Sequence, residues 1–160
     1  FLPGVIRSGG VFMDRQVVED PLHIYVRRGI DTVRLRLWVN PPGGANRLVP
    51  TLELAQQAHL YGFKILLDLH YSDTWADPAH QKKPFAWRDL NGMQLQAAVR
   101  EYTRDTVRAF ILQGTPPDWV QIGNEIGNGL LWDDGRVEPG SDANWIGLAE
   151  LLKEGVAGVV

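Results

Sequence analysis

The sequence predicts an α/β fold with a parallel sheet, on two observations. The pattern of helix, glycine, short link, apolar strand and polar strand end occurs three times, as RRGIDTVRLRLW, LYGFKILLDLH and LQGTPPDWVQIGNE. Strands that alternate with helices in this way build βαβ units, whose strands run parallel. The second observation is the hydrophobic fraction of 44% over 160 residues, enough for a real core.

Taken in order, residues 1–12 are punctuated by glycine and proline, hold no period of two or 3.6, and read as a surface loop. A helix is expected over 21–28, with Asp20 as N-cap, Pro21 at its first position and Gly29 as its stop. Residues 31–39 read as a strand, in which alternation puts Arg34, Arg36 and Trp38 on one face and Leu35, Leu37 and Val39 on the other. After a loop of Pro, Gly and Asn, a second helix is expected over 52–61, capped by Thr51 and stopped by Gly62.

The next strand spans 64–71, with Leu66, Asp68 and His70 on one face. The long segment 72–91 carries Asp73, Trp75, Asp77, His80, Trp87 and Asp89, and a loop of that length is functional or disordered. Its tryptophans favour function. A third helix fits 93–113, with Leu95, Val99, Tyr102, Thr106 and Phe110 at steps of three and four. Gly114 ends it, and Pro116-Pro117 prevents its continuation. The last predicted strand, 119–125, runs into Asn124-Glu125; strict alternation groups Gln121, Gly123 and Glu125 and turns Asn124 to the other side. A loop to about Asp142 and a fourth helix through Leu148, Leu151 and Leu152 complete the chain.

Several function classes find no support. A net charge of -3 without a basic run argues against a nucleic-acid partner. No apolar run approaches the length of a membrane span, and no charged-then-apolar leader opens the sequence, so neither a membrane partner nor a signal peptide is expected. The absence of cysteine removes disulfides, thiol catalysis and thiolate metal sites. The four histidines lack metal-site spacing, and no phosphate-binding glycine loop or nucleophile elbow occurs. No metal and no cofactor are expected.

What remains is the polar rim where the three strands end: Arg34, Arg36, Trp38, Asp68, His70, Gln121 and Glu125. In parallel α/β folds this rim collects active sites. A purely structural network of Arg with Asp and Glu is one reading of it. A carboxylate beside an amide, with arginines, a histidine and six tryptophans in the chain, is the composition that suits glycoside hydrolysis.

The segments VRLRLWVNP (33–41), LLDLHYSDTWADP (66–78) and VQIGNEIGNGLLW (120–132) resemble the signatures of glycoside hydrolase family 53, the endo-β-1,4-galactanases. The resemblance covers nearly the whole chain. It implies a partial (β/α)8 TIM barrel of the clan A type, about strands two to four, in a single incomplete catalytic domain over 1–160. It also implies a retaining mechanism, a β-1,4-galactan substrate and a secreted protein. Glu125 matches the family's acid/base, Asn124 the preceding residue that contacts the sugar 2-hydroxyl, and Arg34 the strand-two arginine that supports the nucleophile. Arg36, Trp38, Asp68, His70, Asp73, Trp75, Trp87, Gln121 and Asn128 form the expected substrate-binding set. Since Asn124 alternates outward on paper, its role requires the strand to turn at its end. The family's first strand and its strands five to eight, with the nucleophile, are expected outside this sequence. Asp133, Asp134 and Glu138 do not match that nucleophile. Alone, the chain is expected to be inactive and to self-associate or stay molten, because its sheet edges would be unpaired. A related clan A glycanase acting on mannan or glucan, and a non-catalytic carbohydrate-binding module, are the alternatives.

Overall fold

The computed structural model describes residues 2–138 and 145–160. Its elements are helix α1 (Leu2–Arg7), the hairpin strands β1 (Met13–Asp14) and β2 (Val17–Val18), helix α2 (Pro21–Arg27), strand β3 (Thr32–Leu37), helix α3 (Leu48–Leu60) and strand β4 (Lys64–Leu69). Helix α4 (Gly92–Leu112), strand β5 (Trp119–Ile122), a second hairpin of β6 (Gly129–Leu130) and β7 (Gly135–Arg136), and helix α5 (Trp145–Ala157) follow. Asp142, the expected limit of the loop before α5, lies outside the described residues.

Strands β3, β4 and β5 pair in that order, both pairs parallel. The expected strands are longer than the paired ones, because the ladder stops at Leu37, Leu69 and Ile122 and the chain turns away at the rim. Helices α3, α4 and α5 cover one face. There Leu35, Leu37, Ile65, Leu67 and Leu69 meet Leu95, Val99, Val107 and Phe110 of α4 and Leu148 and Leu151 of α5. Burying each such side chain is worth roughly 1.5–3 kcal/mol, so this face supplies most of the driving force for folding. Tyr71, Tyr102 and Trp87 close the core under the rim, with Tyr71 hydroxyl 2.7 Å from Thr103 Oγ1. Burial pushes both tyrosine pKa values up.

Two expectations change here. Residues 2–7 form a helix rather than a loop, with Leu2 packed against the small cluster of Leu22, Ala58 and Phe63. Pro3 is compatible with a first helical turn, where no intrahelical donor is needed, and the docked Leu2 supplies what periodicity does not show. Helix α3 begins at Leu48, so Thr51 lies inside it and its hydroxyl donates back to the Arg47 carbonyl at 2.7 Å. Pro50 falls in that first turn, which is where a proline is tolerated.

The boundary signals of α2 act as read. Asp20 Oδ1 accepts from the Leu22 amide at 2.7 Å, and Gly29 follows in the left-handed region. For α4, the amide of Gly92 donates to Asp134 Oδ1 at 3.3 Å, so a residue from the distant second hairpin takes part in capping the helix. None of the described helices is long and apolar enough to cross a membrane.

Candidate active site

The face of the sheet away from the helices carries the polar set. Register places Arg36, Asp68 and Gln121 side by side across β3, β4 and β5, as alternation in each strand requires. Arg34 Nη2 lies 2.9 Å from Asp68 Oδ2 and donates to Asn124 Oδ1 at 2.6 Å. Asp68 is fully buried, whereas the Arg34 side chain is 46% exposed. His70 Nε2 stands 3.1 Å from the same Asp68 oxygen, and His70 Nδ1 accepts from the Ala76 amide at 3.1 Å. Because Nδ1 accepts, the proton sits on Nε2 and is donated to Asp68. One carboxylate oxygen thus gathers an arginine and a histidine, while Asp68 Oδ1 is buried without a partner among the described residues.

The carbonyl of Ala76 accepts from Asn124 Nδ2 at 2.7 Å, so a single residue of the 72–91 loop touches both His70 and Asn124. Asn124 is 1% exposed, on the side of Arg34. Strict alternation fails for a local reason. Gly123 has φ 83° and Glu125 φ 50°, two left-handed residues that flank Asn124 and swing it inward. Only glycine fits at 123, since a Cβ there would also stand 2.7 Å from Ile126 Cγ2. Glu125 lies beyond β5 in the left-handed region, so strand alternation does not set its direction. Its side chain is exposed, and its carboxylate makes no hydrogen bond or ion pair with any described residue.

An aromatic row borders these groups. Trp38 meets the His70 ring edge-on with centroids 6.0 Å apart, and Trp75 does so from its own side at 5.6 Å. The Arg36 guanidinium lies 4.5 Å over the Trp75 ring, and the Trp38 indole nitrogen is buried without a partner among the described residues. Gln121 Nε2 donates to the Gly123 carbonyl at 2.8 Å and so bridges the strand end.

Three expected substrate-binding residues make structural contacts. Trp87 packs in the core against Tyr71 and Tyr102, because the loop folds back over α4 and takes the indole with it. Asp73 staples loops, accepting from the amides of Asn40 and Phe85 at 2.8 Å each. Asn128 Nδ2 donates to the Pro78 carbonyl at 2.9 Å and ties the loop after β5 to the loop after β4. Sequence reasoning missed Gln81, which is 1% exposed and whose Nε2 donates to the Asn124 carbonyl at 2.8 Å. A glutamine in a loop without periodicity gives no signal of such a contact. Among the described residues no group of three or more His, Asp or Glu is placed to hold a metal.

Chemically, the site offers one solvent-facing carboxylate on a rigid turn, a fixed amide beside it, and tryptophan faces next to a charged row. Asp68 cannot serve as a second exposed carboxylate, being buried under Arg34 and His70.

Residues 7–160 match the sequence profile of glycosyl hydrolase family 53. An uncharacterized protein from the bgaB 5' region of Niallia circulans is 41% identical over 99% of this chain and 44% of its own length. The arabinogalactan endo-β-1,4-galactanase of Thermothelomyces thermophilus is 38% identical over 96% of this chain and 45% of its own length. The solved catalytic domain of the same family from Ignisphaera aggregans superposes with a TM-score of 0.89 at 40% identity, covering 99% of this chain and 45% of that one. The chain thus spans less than half the length of these relatives.

Proposed function

We infer that the chain, which belongs to glycosyl hydrolase family 53, carries the acid/base half of an endo-β-1,4-galactanase site. Its three parallel strands are part of a (β/α)8 barrel, and the active rim of such a barrel lies at the carboxyl ends of its strands. The substrate we assign is the β-1,4-galactan of arabinogalactan, met outside the cell. The Thermothelomyces thermophilus relative, named for that activity, supports the assignment.

The observation that carries the reading is the contrast at residues 124 and 125. Glu125 is exposed and has no polar partner among the described residues, free to approach a glycosidic oxygen, while Asn124 is buried and held by Arg34 and Ala76. In a retaining mechanism Glu125 gives its proton to the leaving oxygen as the C1–O bond breaks, and a second carboxylate forms the glycosyl ester at C1. Water then attacks C1 and displaces the carboxylate as the ester bond breaks, while Glu125 takes the proton from that water. The two carboxyl groups of such a pair stand about 5–5.5 Å apart. The nucleophile is assigned to a later strand, outside residues 1–160. Asn124 is assigned to the sugar 2-hydroxyl through the second proton of its amide nitrogen, Arg34 supports the nucleophile, and Trp38, Trp75 and Arg36 form a platform for neighbouring sugars, with the buried His70 bracing both indoles edge-on.

The test is reducing-sugar release from β-1,4-galactan by the 160-residue chain and by the same polypeptide extended through all eight strands. Only the extended protein is expected to act, and its Glu125→Gln variant should lose about 10²–10⁴-fold in kcat/KM. Sugar release by the 160-residue chain itself would place the nucleophile inside it and sink this assignment.

A further inference from the structure

We propose that Gln81 is a positioning residue for Glu125, an inference that rests on the acid/base role given to Glu125 above. The Glu125 carboxylate makes no hydrogen bond or ion pair with any described residue, so no polar partner of the side chain sets its aim and the backbone conformation governs it. That backbone is in the left-handed region, at φ 50° and ψ 44°, where a residue with a Cβ stays only when its surroundings hold it. The holding group is legible. Gln81 Nε2 donates to the Asn124 carbonyl at 2.8 Å and reaches the Glu125 carbonyl at 3.4 Å, the two oxygens on either side of the Glu125 φ and ψ pair. The same nitrogen donates to the Asp77 carbonyl at 3.1 Å, which fixes the amide itself.

Gln81 grips the segment at a second point. Its own carbonyl accepts from the Trp132 amide at 2.8 Å, so one residue bonds the segment that carries Glu125 both at its start and beyond strand β6. The side chain is buried, and its Oε1 has no partner among the described residues. Only the donor end of the amide is used. A carboxylate at this position would set negative charge against carbonyl oxygens, and an apolar side chain would leave those oxygens without their donor. Asn124 has further anchors in Arg34 and Ala76, but the described structure gives Glu125 none beyond Gln81 and its chain neighbours.

Misplacing a general acid harms the reaction in proportion to how much the leaving group needs a proton. The experiment therefore compares the catalytically complete protein with its Gln81→Met and Gln81→Glu variants on two substrates. One is β-1,4-galactan, whose sugar leaving group requires protonation; the other is a dinitrophenyl β-1,4-galactobioside, whose phenolate leaves without it. The galactan kcat/KM is expected to fall about 100-fold, as for a small misplacement of a reacting group. The rate of glycosyl-enzyme formation from the dinitrophenyl substrate should fall less than about 3-fold, since acid assistance is not drawn on there. Equal losses on both substrates, no loss on either, or failure of both variants to fold would overturn the proposal. Glu125→Gln, run alongside, separates the two ideas: if it lacks this leaving-group dependence, the acid/base assignment itself is wrong, whatever the Gln81 variants do.

Discussion

The two faces of the β3–β4–β5 sheet are built from alternate residues of the same strands, yet they hold themselves together differently. On the helix-covered face Leu35, Leu37, Ile65, Leu67 and Leu69 are at most 5% exposed and interlock with α4 and α5. That attraction is non-directional, and many atoms share it. On the opposite face Arg34, Asp68, His70 and Asn124 are joined by a few directed bonds at 2.6–3.1 Å. There each group depends on one or two named partners. The first face makes the sheet stable, and the second makes its rim specific. A slip of one residue in register would exchange the two sets, so the apolar face also fixes where the polar one must be.

This contrast can be broken from either side. The largest loss of stability should come from Leu67→Ala, at a fully buried position on the central strand, with a cost of about 2–5 kcal/mol in denaturant unfolding. The activity per folded molecule of the catalytically complete protein should survive that change. Arg34→Ala is expected to cost less, about 2 kcal/mol. It leaves the buried Asp68 with His70 alone, but a half-exposed arginine contributes less than a fully buried one. Here kcat/KM should fall more steeply than for Leu67→Ala, because Asn124 loses the one partner of its side-chain oxygen among the described residues. If Arg34→Ala proved the more destabilising of the two, the polar face would be a structural network after all. Smallest is Asp20→Ala, which removes the α2 cap on neither face and should cost about 1 kcal/mol in the same unfolding measurement, with kcat/KM unchanged.

Between the faces and the rim lies a third layer, the 72–91 loop, whose order comes from contacts rather than from regular structure. Ala76 binds His70 and Asn124, Asp73 staples Asn40 to Phe85, and Gln81 clasps the turn at Glu125. Length and tryptophan content marked the loop as functional. They did not reveal that Trp87 is spent in the core while Trp75 stays 43% exposed at the rim. Both indoles have the same chemistry, and only the path of the loop over α4 separates them.

What the sequence determined by itself was whatever depends on neighbours along the chain. Asp20, Pro21 and Gly29 bound α2, and the alternation in TVRLRL and KILLDL sorts Arg34, Arg36 and Asp68 from the leucines beside them. These signals are local, because a cap or a strand period acts over a few residues. What the tertiary structure decided involves partners far apart in sequence: Leu2 docking on Leu22 and Phe63, Asp134 reaching the start of α4, Gly123 and Glu125 turning Asn124 inward to Arg34, and Gln81 holding that turn. A buried polar atom must find a partner wherever the fold brings one, and neither composition nor periodicity records which group will stand there once the chain has closed.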